Sequence, residues 1–203
     1  MTDNAFVRRE SLQDVADACR EKGASGNWLP EDMGDVVRGL PSGSGGDFDA
    51  LIDRSIVHAK SDTVTRVGLS AFHGAEQLVE IDFPLVTVIN NNGFYNATSL
   101  TKVNLPLVET IGASAFYNAT SLTTIELPSL TTINSNAFAN AYSLSAVVLR
   151  GSEIPALSGT PFASTPIAND NGYIYVPDNL VAQYRAAPNW SSYPIKPISE
   201  LEG

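Results

Sequence analysis

Cysteine, charged side chains and long apolar runs are all scarce in this sequence. Cys19 is the single cysteine among 203 residues, so an internal disulfide is excluded and the thiol set of a metal site is missing. No apolar run reaches about 18 residues, so we expect no membrane-spanning helix. Residues 1–10 are polar, so we expect no secretory signal. Stability is therefore expected to come from apolar burial and backbone hydrogen bonds.

An excess of positive charge is also missing. The net charge is −10 and the pI is about 4.5, so the chain repels phosphate backbones and we expect no nucleic-acid partner. Motifs for a phosphate loop, a paired-acid site or a serine elbow do not occur. Asp47, Asp49 and Asp53 lack the spacing of a calcium loop, and His58 and His73 have no repeated partner for metal binding or proton transfer. The sequence therefore predicts no catalytic residue, no metal site and no cofactor.

The most informative feature that is present is a repeat of 22 residues, in which side-chain columns recur in register. The columns are Phe72, Phe94, Phe116 and Phe138; Leu78, Leu100, Leu122 and Leu144; Ile81, Val103, Ile125 and Val147; Phe83, Leu105, Leu127 and Leu149; and Ile89, Ile111 and Ile133. Proline recurs at Pro84, Pro106 and Pro128. A fixed period of this length is typical of a solenoid, in which each repeat buries its apolar side against its neighbours.

The pattern within one coil predicts two short strands. Leu122, Ile125 and Leu127 follow the alternation of a strand with one apolar side, and Pro128 ends that strand because it cannot donate to a ladder. A second apolar pair, Leu130 and Ile133, predicts another short strand. We predict about five coils, with irregular first and last copies. The predicted fold class is an α+β repeat, a leucine-rich-repeat solenoid with short parallel strands about 4.8 Å apart.

The two ends of the chain differ from the repeats. Residues 11–40 predict a helical hairpin, because a capping-box pair opens the first helix and a proline opens the second. Residues 173–198 predict a strand, a helix and several aromatic side chains that would cover the last coil. The predicted domains are a helical hairpin anchoring module at 1–40, a flexible Gly/Ser linker at 41–50, the solenoid at 51–165 and a strand-helix cap at 166–203.

The repeat Ala115-Phe-Tyr-Asn-Ala-Thr-Ser-Leu-Thr123, with the strand and proline that follow it, resembles the BspA-type leucine-rich repeat. The closing stretch from Gly172 to Arg185 is similar to the terminal segment of those proteins. The resemblance covers roughly residues 50–203. One departure is that the family often has cysteine where this chain has Ala97, Ala119 and Ala141, all small residues expected to be buried.

The N-terminal stretches at 12–22 and 30–40 resemble a short module of phage and prophage structural proteins that commonly precedes such repeats. This resemblance implies a tail- or virion-associated protein that is assembled in the host cytoplasm. A hairpin at 11–40 is too small to be very stable alone, so we expect it to pack on other virion proteins, on a second copy of the chain in a homo-oligomer, or on the solenoid.

Outward strand positions are the predicted binding residues, because they differ between coils while the inward columns stay constant. Tyrosines are added because they suit interfaces. The candidates are Glu80, Asp82, Lys102, Asn104, Thr124, Glu126, Tyr95, Tyr117 and Tyr142, and Ala146 and Val148 occupy the same outward positions one coil later. Two alternatives stay open: unconstrained solvent positions, and tyrosines packed along the outer edge. Asn96, Asn118 and Asn140 either line a surface or bond along the stack and cap turns.

The sequence thus favours a non-enzymatic phage or prophage structural protein that displays its repeats to a host-cell protein or glycan. The alternative is a bacterial surface adhesin or a general protein-interaction module at the cell surface. A glycan-directed enzyme would need two convergent carboxylates about 5–10 Å apart in a cleft. Glu80, Asp82 and Glu126 are the acidic residues on the predicted strand face, and a flat face offers no cleft.

Overall fold

The computed structural model describes residues 56–62 and 64–202, and it contains a solenoid of parallel strands. Each coil contributes one longer strand and one two-residue strand. The longer strands are β1 (His58–Lys60), β3 (Glu80–Asp82), β5 (Lys102–Asn104), β7 (Thr124–Glu126), β9 (Ala146–Val148), β11 (Tyr173–Val176) and β12 (Ile195–Pro197). The two-residue strands are β2 (Arg66–Val67), β4 (Val88–Ile89), β6 (Thr110–Ile111), β8 (Thr132–Ile133) and β10 (Ala156–Leu157).

Strand pairing follows the repeat period. The two-residue strands form one sheet in the order β2-β4-β6-β8-β10, and the longer strands form two ladders, β1-β3-β5 and β7-β9-β11-β12. In both sets a residue pairs with its equivalent in the next coil, as Ile81 does with Val103 and Ile89 with Ile111. Because β11 adds another rung beyond β9, the solenoid has about six turns and not the five that we expected.

The predicted apolar columns are continuous. Leu78, Leu100, Leu122 and Leu144 are each 0% exposed. The rings of Phe72, Phe94, Phe116 and Phe138 stack with centroids 5.0, 5.1 and 5.3 Å apart, and Phe162 extends the stack at 5.6 Å. Ala97, Ala119 and Ala141 are also 0% exposed. Burial of one column along the whole stack explains why these positions tolerate little change from coil to coil.

In the four coils from Phe72 to Phe138, two left-handed backbone positions turn the chain around the buried phenylalanine. One precedes it by two residues and the other follows it by two. The first set is Ser70, Asn92, Ser114 and Asn136, and the second is Gly74, Asn96, Asn118, Asn140 and Ser164, all with positive φ. Asparagine and glycine adopt this conformation at lower cost than other residues. The asparagine column also bonds along the stack, since Asn118 Nδ2 donates to Asn96 Oδ1 over 2.9 Å, which supports its predicted structural role.

The backbone role of this column can be separated from its side-chain role at Asn118, where φ is 60°. We expect Asn118→Ala to destabilise more than Asn118→Gly, although both lose the amide bond to Asn96. A left-handed alanine costs about 1–2 kcal/mol, whereas glycine loses about 0.5–1 kcal/mol of chain entropy, so the difference should be about 0.5–1 kcal/mol. Urea unfolding measures it, and an equal loss in both variants would show that backbone strain has no part.

Residues 167–202 continue the chain beyond the regular 22-residue coils. A 3-10 turn at Ile167–Asn169 leads into β11, and a second turn at Asp178–Leu180 continues into α1 (Val181–Ala186). Strand β12 and the short helix α2 (Ser199–Glu202) complete the described chain. The rings of Tyr193 and Phe162 meet edge to face at 5.2 Å, which ends the phenylalanine stack.

Side-chain donors bond the carbonyls at the outer edges of both sheets. Trp190 Nε1 donates to Pro155 O over 2.7 Å, and Asn189 Nδ2 donates to Leu157 O over 3.4 Å, so two carbonyls beside β10 are bonded. Arg185 Nη2 donates to Ile195 O of β12 over 2.8 Å. An edge strand whose carbonyls are already bonded has fewer unpaired backbone groups with which a strand of another chain could form hydrogen bonds. The predicted hairpin at 1–40 and the linker at 41–50 lie outside the described residues, so those boundaries stay predictions.

Candidate binding surface

The outward side chains of the longer strands form two columns, which we call the ladder face. The first column is His58, Glu80, Lys102, Thr124, Ala146 and Tyr173. The second is Lys60, Asp82, Asn104, Glu126, Val148, Tyr175 and Lys196. The six predicted strand residues therefore lie on one surface. Alternate residues of a strand point to the same side, and equivalent residues of successive coils lie next to each other.

The first part of the ladder face is a network of paired charges. Glu80 accepts from Lys60 Nζ over 3.1 Å and lies 3.2 Å from His58 Nδ1. The hydrogen bond from Lys60, followed by the charge of Lys60 and the contact with His58, outweighs desolvation and lowers the pKa of the Glu80 carboxyl. Asn104 Nδ2 donates to Asp82 Oδ1 over 2.7 Å. Side chains that are bonded across the strands in this way hold one another in fixed positions.

Glu126 continues this pattern, since Arg150 Nε donates to its Oε1. The three carboxylates that an enzyme hypothesis would use, Glu80, Asp82 and Glu126, thus each accept a hydrogen bond from a neighbouring side chain. The arrangement matches cross-strand pairing, which stabilises a sheet.

The last part of the ladder face is aromatic. The rings of Tyr173 and Tyr175 lie edge to face with centroids 6.2 Å apart. Lys196 Nζ lies 4.2 Å from the centroid of the Tyr173 ring and 2.9 Å from Glu200 Oε2. Sequence reasoning assigned both tyrosines to the closing segment alone. The signal that could have placed them here is the Tyr-Ile-Tyr-Val alternation, which continues the outward columns.

One residue of the expected outward pattern was assigned wrongly. Val148 points outward but is only 2% exposed, whereas Ala146, two residues earlier in the first column, is partly exposed. Val148 lies between Glu126 and Tyr175 in its column, and the larger side chains on either side shield it from solvent. The difference arises because the exposure of an outward position depends on the size of its neighbours in the ladder.

The three tyrosines predicted from sequence do not form one surface. Tyr95 and Tyr117 stack with centroids 4.7 Å apart, and His73 stacks on Tyr95 at 4.9 Å, so these rings mainly cover one another. The hydroxyl of Tyr117 accepts from Asn140 Nδ2 over 2.7 Å. Tyr142 is 58% exposed and belongs to a different column, that of Thr98 and Thr120. Their roles in binding stay predictions.

Within residues 56–62 and 64–202, no three His, Cys, Asp or Glu side chains come together in a way that could hold a metal ion. None of the helices described is both long enough and apolar enough to traverse a bilayer.

Comparison with known proteins agrees with this architecture. The family model described as the BspA type leucine rich repeat region matches residues 55–167 in six copies, one more than the five coils expected from the sequence. No curated protein matches the chain.

A solved structure of a leucine-rich repeat protein from Bacteroides ovatus is similar, with 22% identity and a TM-score of 0.49. That comparison covers 80% of this chain and 42% of the other, so this chain spans less than half the length of that protein. The family match, by contrast, extends over more than half of the sequence, from the first described coil to the turn before β11. The chain belongs to the BspA-type leucine-rich repeat family.

Proposed function

We propose that this protein is a non-enzymatic binding protein that recognises a molecule on a host-cell surface through its ladder face. The observation that carries the proposal is the contrast between the two sides of the longer strands. The inward residues are Ile or Val in most coils, whereas the outward ones change from charged to polar to aromatic. A leucine-rich repeat protein of this kind is suited to protein interaction or surface binding.

The physical advantage of the ladder face is its rigidity. Its backbone is held by ladder hydrogen bonds, and the side chains of Glu80, Asp82 and Glu126 are held by their partners. Side chains that are already ordered lose little conformational entropy when a ligand binds. Binding by surface complementarity therefore needs neither a cofactor nor a moving loop.

A finer part of the proposal concerns where the protein acts. The stretches at 12–22 and 30–40 resemble a module of phage and prophage structural proteins, and this supports a virion or tail location with residues 11–40 contacting other virion proteins or a second copy. A bacterial surface adhesin would use the same ladder face. Fractionation of a culture that carries the native gene separates the two: protein in purified particles supports the first, and protein in the cell envelope supports the second.

The proposal also gives residues 166–203 the role of a cap. The support comes from the contacts of Tyr193 with Phe162, and of Trp190 and Asn189 with the carbonyls beside β10. A terminal coil would otherwise expose an apolar surface and unpaired backbone groups.

Binding to whole host cells tests the ladder face. We expect the triple variant Lys102→Ala, Asn104→Ala and Thr124→Ala to bind at least about tenfold more weakly, because all three side chains are exposed on adjacent rungs. The matched control truncates Val88, Thr110 and Thr132, the outward residues of β4, β6 and β8. Equal loss in both variants, or loss in the control alone, would place the binding surface elsewhere.

A further inference from the structure

The first column of the ladder face contains a gap at Ala146. Its neighbours in the column are Thr124 in β7 and Tyr173 in β11, and both strands pair with β9. Because adjacent strands lie about 4.8 Å apart, Thr124 and Tyr173 stand about 10 Å from each other with one methyl group between them. We call this gap the Ala146 notch. The neighbouring outward residues of the second column are Glu126 and Val148, and of these Glu126 is exposed whereas Val148 is buried.

The ring of Tyr173 is fixed beside the notch. Lys196 Nζ lies 4.2 Å from its centroid, and Tyr175 packs edge to face against it. The neighbour on the other side of Tyr173 is Ala146, whose single methyl group is too small to cover an aromatic ring. The tyrosine is thus ordered by its partners, while its ladder neighbour at position 146 leaves room for a ligand.

The size of the ladder face argues for a narrow ligand. Its strands contribute mostly three residues each, so the face is about 10 Å wide, and six intervals between seven strands make it about 29 Å long. A strip of this width is narrow for the compact patch of roughly 800 Å² of accessible surface that each partner buries in a stable protein–protein interface. An extended polymer that lies along the solenoid axis fits these dimensions better than a globular protein does.

The charge of the ladder face argues for a neutral ligand. Its two columns hold the cations Lys60, Lys102 and Lys196 and the anions Glu80, Asp82 and Glu126, so the charges of Lys and acidic side chains cancel, and Arg150 and Glu200 beside the face are also of opposite sign. Lys60 is paired with Glu80, Arg150 with Glu126 and Lys196 with Glu200. A surface whose charges already neutralise each other gains little from a charged partner, but its hydroxyl and carboxylate groups can still bond to neutral hydroxyls.

From these observations we infer that the Ala146 notch is a subsite for one sugar ring of a neutral glycan that lies along the ladder face. The inference rests on the proposed function and names its ligand class. The sugar's C–H face packs on the Tyr173 ring, since the face of an aromatic ring carries negative charge density and attracts weakly positive hydrogens. The Thr124 hydroxyl and the Glu126 carboxylate are placed to bond with hydroxyls of the same sugar.

Filling the notch tests the inference. Ala146→Tyr puts a ring where the sugar would lie, and the same column already accepts Lys102 and Tyr173, so the fold should tolerate it. We expect this variant of the full chain to bind host cells at least about tenfold more weakly, and Tyr173→Ala to weaken binding by about tenfold. The matched control is Thr132→Tyr, which adds a ring to the outward side of β8 in the other sheet. Thermal unfolding confirms that each variant is folded.

Treatment of the cells identifies the ligand class. Periodate oxidation destroys glycans, and protease treatment removes proteins. Binding that survives protease, is lost after periodate and is lost in Ala146→Tyr supports the inference. Binding that survives periodate but not protease overturns the inference and leaves the ladder face as a protein-binding surface. Unchanged binding by both Ala146→Tyr and the Lys102, Asn104 and Thr124 triple variant overturns the proposed function as well.

An immobilised panel of neutral and acidic oligosaccharides then gives the preferred sugar, and preference for an acidic glycan would also contradict the inference.

Discussion

Replacing Phe116 with alanine is expected to lower the free energy of unfolding by about 3–5 kcal/mol. Phe116 is 0% exposed, and its ring stacks between Phe94 and Phe138 with centroids 5.1 and 5.3 Å away. The variant removes the ring from the middle of a continuous column, and the coils on either side cannot collapse into the cavity because their backbones are held in the ladders. Guanidinium unfolding followed by circular dichroism measures the loss.

The control for Phe116 is Leu107→Ala. Leu107 is apolar too, but it is 44% exposed at the turn after Pro106, so its removal should cost less than about 1 kcal/mol. If both variants lose the same stability, the phenylalanine column does not hold the coils together. Because each coil contacts only its neighbours, Phe116→Ala also weakens the coupling between the coils on either side of it. The two halves should then unfold less cooperatively, and the unfolding transition should be broader.

Replacing Trp190 with alanine is expected to cost about 4 kcal/mol and to cause concentration-dependent self-association. Trp190 is 1% exposed, packs edge to face on Tyr184 at 5.1 Å and donates to Pro155 O. The variant therefore loses a large buried side chain and leaves the carbonyl beside β10 without its donor. Unfolding experiments measure the first effect, and size-exclusion chromatography over a range of concentrations measures the second.

The variant Trp190→Phe separates packing from hydrogen bonding at this position. It keeps most of the buried ring but cannot donate to Pro155 O, so we expect a loss of about 1–3 kcal/mol. The control for the loss of an aromatic ring is Tyr142→Ala, which removes a ring that is 58% exposed and should change stability by less than about 1 kcal/mol. A monomeric Trp190→Ala protein with nearly unchanged stability would contradict the cap that we propose for residues 166–203.

Much of the solenoid could be predicted because each coil repeats the same pattern of apolar and polar side chains. The strands, their register and the buried columns follow from residues that recur every 22 positions, as the pairing of Ile89 with Ile111 illustrates. The number of coils was underestimated, since the family match contains six copies and the last ones depart from the strict spacing. A two-residue insertion before Phe162 hides the period without disturbing the stack of its ring on Phe138.

The left-handed positions show a different limit. Asn96, Asn118 and Asn140 were recognised as a column, but the matching column through Ser70 and Ser114 was not. Serine is common at many kinds of position, so its recurrence alone does not indicate a positive φ. Only the folded backbone shows that the coils from Phe72 to Phe138 each use two such residues to turn around the phenylalanine.

The sequence by itself determined the period, the inward columns and the six strand residues of the ladder face, because a side chain's direction in a regular strand depends on its position in the repeat. Tertiary structure alone decided which outward residues are accessible. Val148 is buried although it points outward, Ala146 leaves a notch, and Tyr173 and Tyr175 join the same surface from beyond the regular repeats. The physical reason is that exposure in a ladder depends on the size of the neighbours on adjacent rungs, which come from other coils and are brought together only when the chain is folded.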